Sequence, residues 1–152
     1  MSWSPAIYKF VDGGDIPVPM DPATVRAVLE PYDIGDPQRT ERPDGTMEFW
    51  VRAPAGGEAA MLVDEYGILV ERPTVGGVFD IVAELLSRLG AVVLRPSDSV
   101  AVCRPEEHPH LPPELREDAL VIEMTGGALE YALTGPHLRR KEHSRPGKRG
   151  AA

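Results

Sequence analysis

Apolar residues recur at three- and four-residue steps between Val75 and Leu89. Val75, Val78, Phe79, Val82, Leu85, Leu86 and Leu89 fall on one side, and Asp80, Glu84, Ser87 and Arg88 fall mostly opposite. The spacing predicts a core helix. Thr74 is placed to cap its start by accepting a backbone N–H bond, and Gly90 to end it in the left-handed conformation. Burying each large apolar side chain stabilises by roughly 1.5 to 3 kcal/mol, so this helix is expected at the centre of the domain.

A second helix is signalled by Asp21-Pro22, a capping carboxylate followed by a proline whose fixed φ suits the first helical position. Val25, Val28 and Leu29 give it an apolar stripe, and Pro31 stops it by pushing the preceding residue out of the helical region. Elsewhere the pattern is strand-like. Ala6 to Val11 and Met47 to Ala53 are rich in strand formers, and Ala59 to Val63 and Ile68 to Val70 flank a hairpin, Asp64-Glu65-Tyr66-Gly67, whose glycine is expected at positive φ.

Beyond the core helix, Ala91 to Leu94 and Val100 to Cys103 flank the turn Arg95-Pro96-Ser97-Asp98-Ser99. A proline-dense loop from Pro105 to Pro113, one helical turn at Glu114 to Glu117, a strand at Leu120 to Met124 and a short helix at Ala128 to Leu133 complete the series. The order β-α-β-β-β-α-β-β-β-α is not a regular alternation. It predicts a single α+β domain with an antiparallel or mixed sheet and two main helices packed on one face, and it argues against a doubly wound nucleotide-binding fold.

Charge changes that picture at one end. Met1 to Pro136 carries ten basic and 23 acidic residues, a net −13, whereas His137 to Ala152 carries six basic and one acidic, a net +5. The chain is therefore divided into an acidic domain, residues 1–136, and a basic, flexible extension, residues 137–152, that lacks apolar periodicity. The extension has three candidate destinations: phosphates, anionic lipid, or the acidic body itself. Nucleic-acid contact is expected only through it, and weakly.

A chain of 152 residues can bury enough surface to fold without metal or disulfide, and its single Cys103 has no partner for an internal bridge, which suits a reducing cytoplasm. No run of apolar residues approaches the ~20 needed to span a bilayer, and Met1-Ser2-Trp3-Ser4-Pro5 is not a secretory signal, so no membrane association is expected. Heavy use of Ala, Gly, Pro, Arg and Val suggests a GC-rich bacterial source.

Candidate chemistry is sparse. Glu106, Glu107, His108 and His110 are donor types acceptable to a metal, but one extended segment does not supply a complete ligand set. Cys103 reads as a packed thiol. Ser97, Asp98 and Ser99 sit in a turn whose side chains bond the local backbone. Thr74-Val-Gly-Gly and Thr125-Gly-Gly-Ala place paired glycines where helices begin, without the lysine of a phosphate loop, and read as close-packing devices. No cofactor or metal site is predicted.

Alternation in β-strand 47–52 puts Met47, Phe49 and Val51 on one face and Glu48, Trp50 and Arg52 on the other. A tryptophan among charges has the composition of an interface anchor, so Trp50, Glu48 and Arg52 are the candidate binding residues. Together with the acidic body they point to a non-enzymatic cytoplasmic binding module, in concrete form an acidic inhibitor or immunity-type protein for a basic protein partner. The competing expectation is a small enzyme or ligand-binding protein with a pocket between the sheet and the core helix. The pattern sets no oligomeric state.

Overall fold

A computed structural model describes residues 4–35, 45–71, 73 and 77–134. Trp3, the expected cap Thr74, Val75, and the basic extension with its boundary at Pro136 lie outside the described residues. The elements are β1 (Ala6–Tyr8), α1 (Pro22–Leu29), β2 (Met47–Arg52), β3 (Glu58–Val63), β4 (Ile68–Glu71), α2 (Val78–Leu89), β5 (Val92–Leu94), β6 (Ala101–Cys103), α3 (Pro113–Arg116), β7 (Leu120–Val121) and α4 (Gly126–Thr134). Single 3-10 turns occupy Glu30–Tyr32 and His108–His110.

The strands form one sheet in the order β2-β3-β4-β1-β5-β6-β7, antiparallel throughout except for the parallel pair β6–β7. This is the expected α+β domain with a mixed sheet. β1 lies in the middle, antiparallel to both β4 and β5, so the N-terminal strand joins two hairpin units into one sheet.

α1, α2 and α4 pack side by side on one face of the sheet, with α2 between the other two. Eight of the twelve α2 residues are buried, because the sheet lies beneath the helix and a helix flanks it on each side. The described helix begins at Val78, and Gly90 ends it in the left-handed conformation, φ 66°. α1 begins at Pro22 as the sequence implies, and the Asp21 carboxylate accepts from the Thr24 hydroxyl (2.7 Å).

Two close approaches fix how α2 sits. A Cβ on Gly77 would lie 2.6 Å from the Cβ of Ala53 in the β2–β3 connection, and one on Gly126 would overlap the Asp80 carboxylate. The glycines therefore let helix ends approach neighbouring backbone, and α4 is capped by Thr125, whose Oγ1 accepts from the Ala128 N–H (3.2 Å).

Several strands are shorter than the sequence implies. β1 ends at Tyr8, not Val11, because the chain turns out of the sheet: the Lys9 carbonyl accepts from the Val18 N–H (2.8 Å), and Asp12 and Gly13 adopt positive φ. Lys9 Nζ then donates to the Leu89 carbonyl at the end of α2 (2.6 Å), a cation at the negative end of a helix dipole. β7 covers only Leu120–Val121, because after the Ile122 N–H bonds to Cys103 the chain leaves the sheet for α4. Gly67 does not need positive φ as expected. The Asp64 carboxylate holds that turn by accepting from the Tyr66 and Gly67 N–H groups (both 2.8 Å), and Gly67 is small because the Tyr8 ring lies against it.

Among the described residues, the second face of the sheet is covered on one side only. Phe10, Val92, Ala101, Cys103 and Leu111 form a smaller core there, with Leu115 and Ala119 packed against it from the 104–119 segment. Among the described residues no helix is long and apolar enough to cross a membrane.

Phe79→Ala or Leu85→Ala, both at side chains no more than 1% exposed, is expected to lower the unfolding free energy by about 2 to 5 kcal/mol in denaturant titration. Gly126→Ala is expected to destabilise through its clash with Asp80, whereas Gly127→Ala, where an added Cβ meets nothing within 4 Å, is expected to be neutral or mildly stabilising. Equal effects at the two glycines would refute the close-packing account of α4.

Candidate functional site

β2 follows the predicted alternation: Met47, Phe49 and Val51 are buried beneath α1 and α2, while Glu48, Trp50 and Arg52 point to the second face. Strand pairing then decides what joins them. Register sets Glu48 opposite Leu62, Leu62 opposite Leu69, and Leu69 opposite Ala6, and in the adjoining row Trp50 opposite Ala60 and Ala60 opposite Glu71. Leu62 and Leu69 are half-buried and belong to neither core. Among the described residues nothing packs across this half of the face.

Trp50 is 46% exposed and tightly held. Its indole N–H donates to Glu58 Oε1 (3.0 Å), and Arg52 Nε donates to Glu58 Oε2 (2.7 Å), so one carboxylate clamps the ring and the guanidinium across the strand pair. The Trp50 backbone is equally committed. Its N–H donates to Asp33 Oδ1 (3.0 Å), and its carbonyl accepts from the Ile34 N–H (2.7 Å), so Asp33 and Ile34 occupy the β2 edge at this point. Such cover blunts an edge that would otherwise recruit strands nonspecifically.

Among the described residues the open half is acidic. Glu48, Glu58 and Glu71 stand on it with Arg52, and Asp64 and Glu65 sit at the hairpin rim. The Arg52 guanidinium first, and the Trp50 indole N–H second, hold the Glu58 carboxyl below the usual carboxylate range. A groove of about 490 Å³ runs along the same face toward the hairpin, walled by Ala6, Tyr8, Leu62, Tyr66, Gly67 and Leu69. A second, of about 540 Å³, lies on the other side of the hairpin beside Met20, Val25, Met47 and Val63. Neither is lined by α2, whose apolar face is buried in the main core.

The remaining candidates are engaged separately. Glu107, 6% exposed, pairs with both Arg104 nitrogens Nε (2.7 Å) and Nη2 (2.6 Å). His108 Nε2 lies 3.1 Å from the Arg116 carbonyl, and His110 Nδ1 accepts from the Asp12 N–H (3.0 Å). Among the described residues, no three His, Cys, Asp or Glu side chains are grouped to hold a metal. Cys103 is fully buried, and burial, aided by the Glu107 charge, pushes its thiol up to about 11, so it stays protonated and unreactive at neutral pH. Asp98 serves its turn by accepting from the Val100 N–H (3.2 Å) and by pairing with Arg95.

Sequence reasoning did not single out Arg95 or Glu58. Arg95 is 3% exposed, paired with Asp98, and also donates to the Ala132 carbonyl (3.4 Å), which ties the end of α4 to the β5–β6 turn. The i,i+3 spacing of Arg95 and Asp98 is visible in the chain; burial of the pair is not. No protein-family model, no curated protein and no solved structure matches this chain.

Because its folded pKa is depressed, Glu58 adds stability that is fully present above the ordinary glutamate pKa and is lost as pH falls through the lowered folded value. The Trp50 indole N–H resonance is therefore expected to shift in acid with a midpoint below that of a free glutamate, and Glu58→Gln to abolish that transition. A midpoint at the ordinary glutamate value would show that the clamp does not form.

Proposed function

We propose that this protein is a non-enzymatic binding module, acting as an acidic inhibitor or immunity-type partner that covers a basic surface of another protein. The observation that carries the reading is the open half of the second sheet face, which Trp50 shares with Leu62 and Leu69 and with Glu48, Glu58 and Glu71. Aromatic anchors in an apolar centre with a charged border supply most of the affinity of protein interfaces. The acid rim speeds encounter with a cationic partner and disfavours nucleic acid on this face.

Preorganisation supports the same reading. An exposed tryptophan ordinarily loses rotamer freedom when it docks; here Glu58 fixes the indole and Asp33 and Ile34 fix its backbone before any partner arrives. Binding then costs less ordering. The candidate trio keeps distinct roles: Trp50 as the anchor, Glu48 as part of the attracting rim, and Arg52 as the cation that orients Glu58.

A small-molecule role ranks second. The groove beside Met20, Val25, Met47 and Val63 has a volume of about 540 Å³, within the range of ligand pockets, but the adjacent Asp64 carboxylate is already used by its own turn. A ligand there would raise the melting temperature with concentration.

The test is comparative capture from the native cell at low salt, followed by calorimetric titration of the purified partner. Wild-type protein is expected to recover a basic protein. Trp50→Ala is expected to weaken the complex by ~2 kcal/mol or more, about thirtyfold, while leaving the far-ultraviolet spectrum unchanged. Affinity should fall as salt rises. A partner whose affinity ignores both Trp50 and salt would overturn the reading.

A further inference from the structure

We propose that the protein's own basic segment, Arg139 to Lys148, is an intramolecular ligand of the Trp50 face, competing with the external cationic partner. The inference rests on the function proposed above. It adds a built-in occupant, and so a means by which access to the face is controlled.

Three observations converge on it. The first is charge: among the described residues the open half carries Glu48, Glu58 and Glu71 together with Arg52, while residues 137–152 carry six basic residues and one acidic. A second copy of the same face would set acid against acid, which argues against self-pairing there. The second is position. The Arg95 bond to the Ala132 carbonyl pins the end of α4 beside the last residue of β5, and Leu94 of that strand pairs with Ala6, which pairs with Leu69. Glu71 and Trp50 lie one row further toward the same end of the sheet. The chain therefore leaves Thr134 at the end of the sheet where the open face has its tryptophan and its acids.

Reach is the third. β5 and β2 are separated by four strand spacings, about 19 Å, and β5 and β4 by about 10 Å, with roughly another 10 Å from the helix layer to the sheet. Seven extended residues from Gly135 to Lys141 span about 23 Å, enough to bring Lys141 to Glu71; fourteen bring Lys148 well past Glu58. A tether this short gives a local concentration on the order of millimolar, so even a weak, charge-driven contact competes with an external partner.

The test uses the full chain and carbodiimide, which joins a lysine amine to a carboxylate only when the two are in contact. At low salt, monomeric protein is expected to yield peptides linking Lys141 or Lys148 to Glu48, Glu58 or Glu71. The yield should fall several-fold at about 0.5 M NaCl, where screening extends over only a few ångströms. Arg139→Glu with Arg140→Glu and Lys141→Glu should remove the Lys148 links and tighten binding of the captured partner. No links, links appearing only in a covalent dimer, or links spread equally to Glu30, Glu114 and Glu123 would overturn the intramolecular ligand. Those results leave the Trp50-dependent capture untouched, so the two proposals fail separately.

Discussion

The burial of α2 is the constraint on which the rest of the structure depends. A helix whose apolar residues extend around most of its circumference cannot rest on a sheet alone; it needs lateral cover, and α1 and α4 provide it. That requirement brings both flanking helices to the same side of the sheet. It also explains where small residues are indispensable: Gly77 lets α2 start against the β2–β3 connection, and Gly126 lets α4 start against Asp80. Lys9 on the Leu89 carbonyl and Arg95 on the Ala132 carbonyl then hold the far ends of the two helices with buried or half-buried cations.

With α1, α2 and α4 committed to one face, little of the described chain remains for the other. The segment 104–119 covers the β5–β6 side, where Cys103, Val92 and Leu111 are sealed, and the Arg104–Glu107 pair stiffens its entry. Because β1 sits between β4 and β5, the covered and uncovered halves meet along it: Tyr8 packs toward Phe10 on one side and lies on Gly67 on the other. Among the described residues the open half thus follows from the distribution of cover between the two faces, and Leu62, Leu69 and Trp50 stand on it with Glu48, Glu58 and Glu71.

How much of this was legible in the sequence divides along the range of the interaction. The periodicity of α2, the Pro22 start of α1 and the parity of β2 are set by neighbours a few residues apart, so the pattern contains them. The assignment of Trp50 to a charged face needed only the two-residue period of a strand. Its relation to Leu62 and Leu69 required the register of β2 with β3 and of β3 with β4, and the position of β1 required a pairing more than sixty residues away in the chain. Gly67 shows the same limit at a single position, since the hairpin pattern suggested a conformational role and the tertiary contact with Tyr8 gives a steric one.

Glu58 shows how a residue without a distinctive sequence signal becomes central to a surface. It sits at the start of β3, and only the antiparallel pairing of Arg52 with Glu58 brings its carboxylate between a guanidinium and an indole. That carboxylate pairs with the Arg52 guanidinium, and it orients Trp50 without burying it. Exposed ion pairs add little to folding stability. The arrangement is better understood as positioning: a bond of small energetic weight determines which way the largest exposed side chain of the open face points, and therefore the shape that any occupant of that face must match.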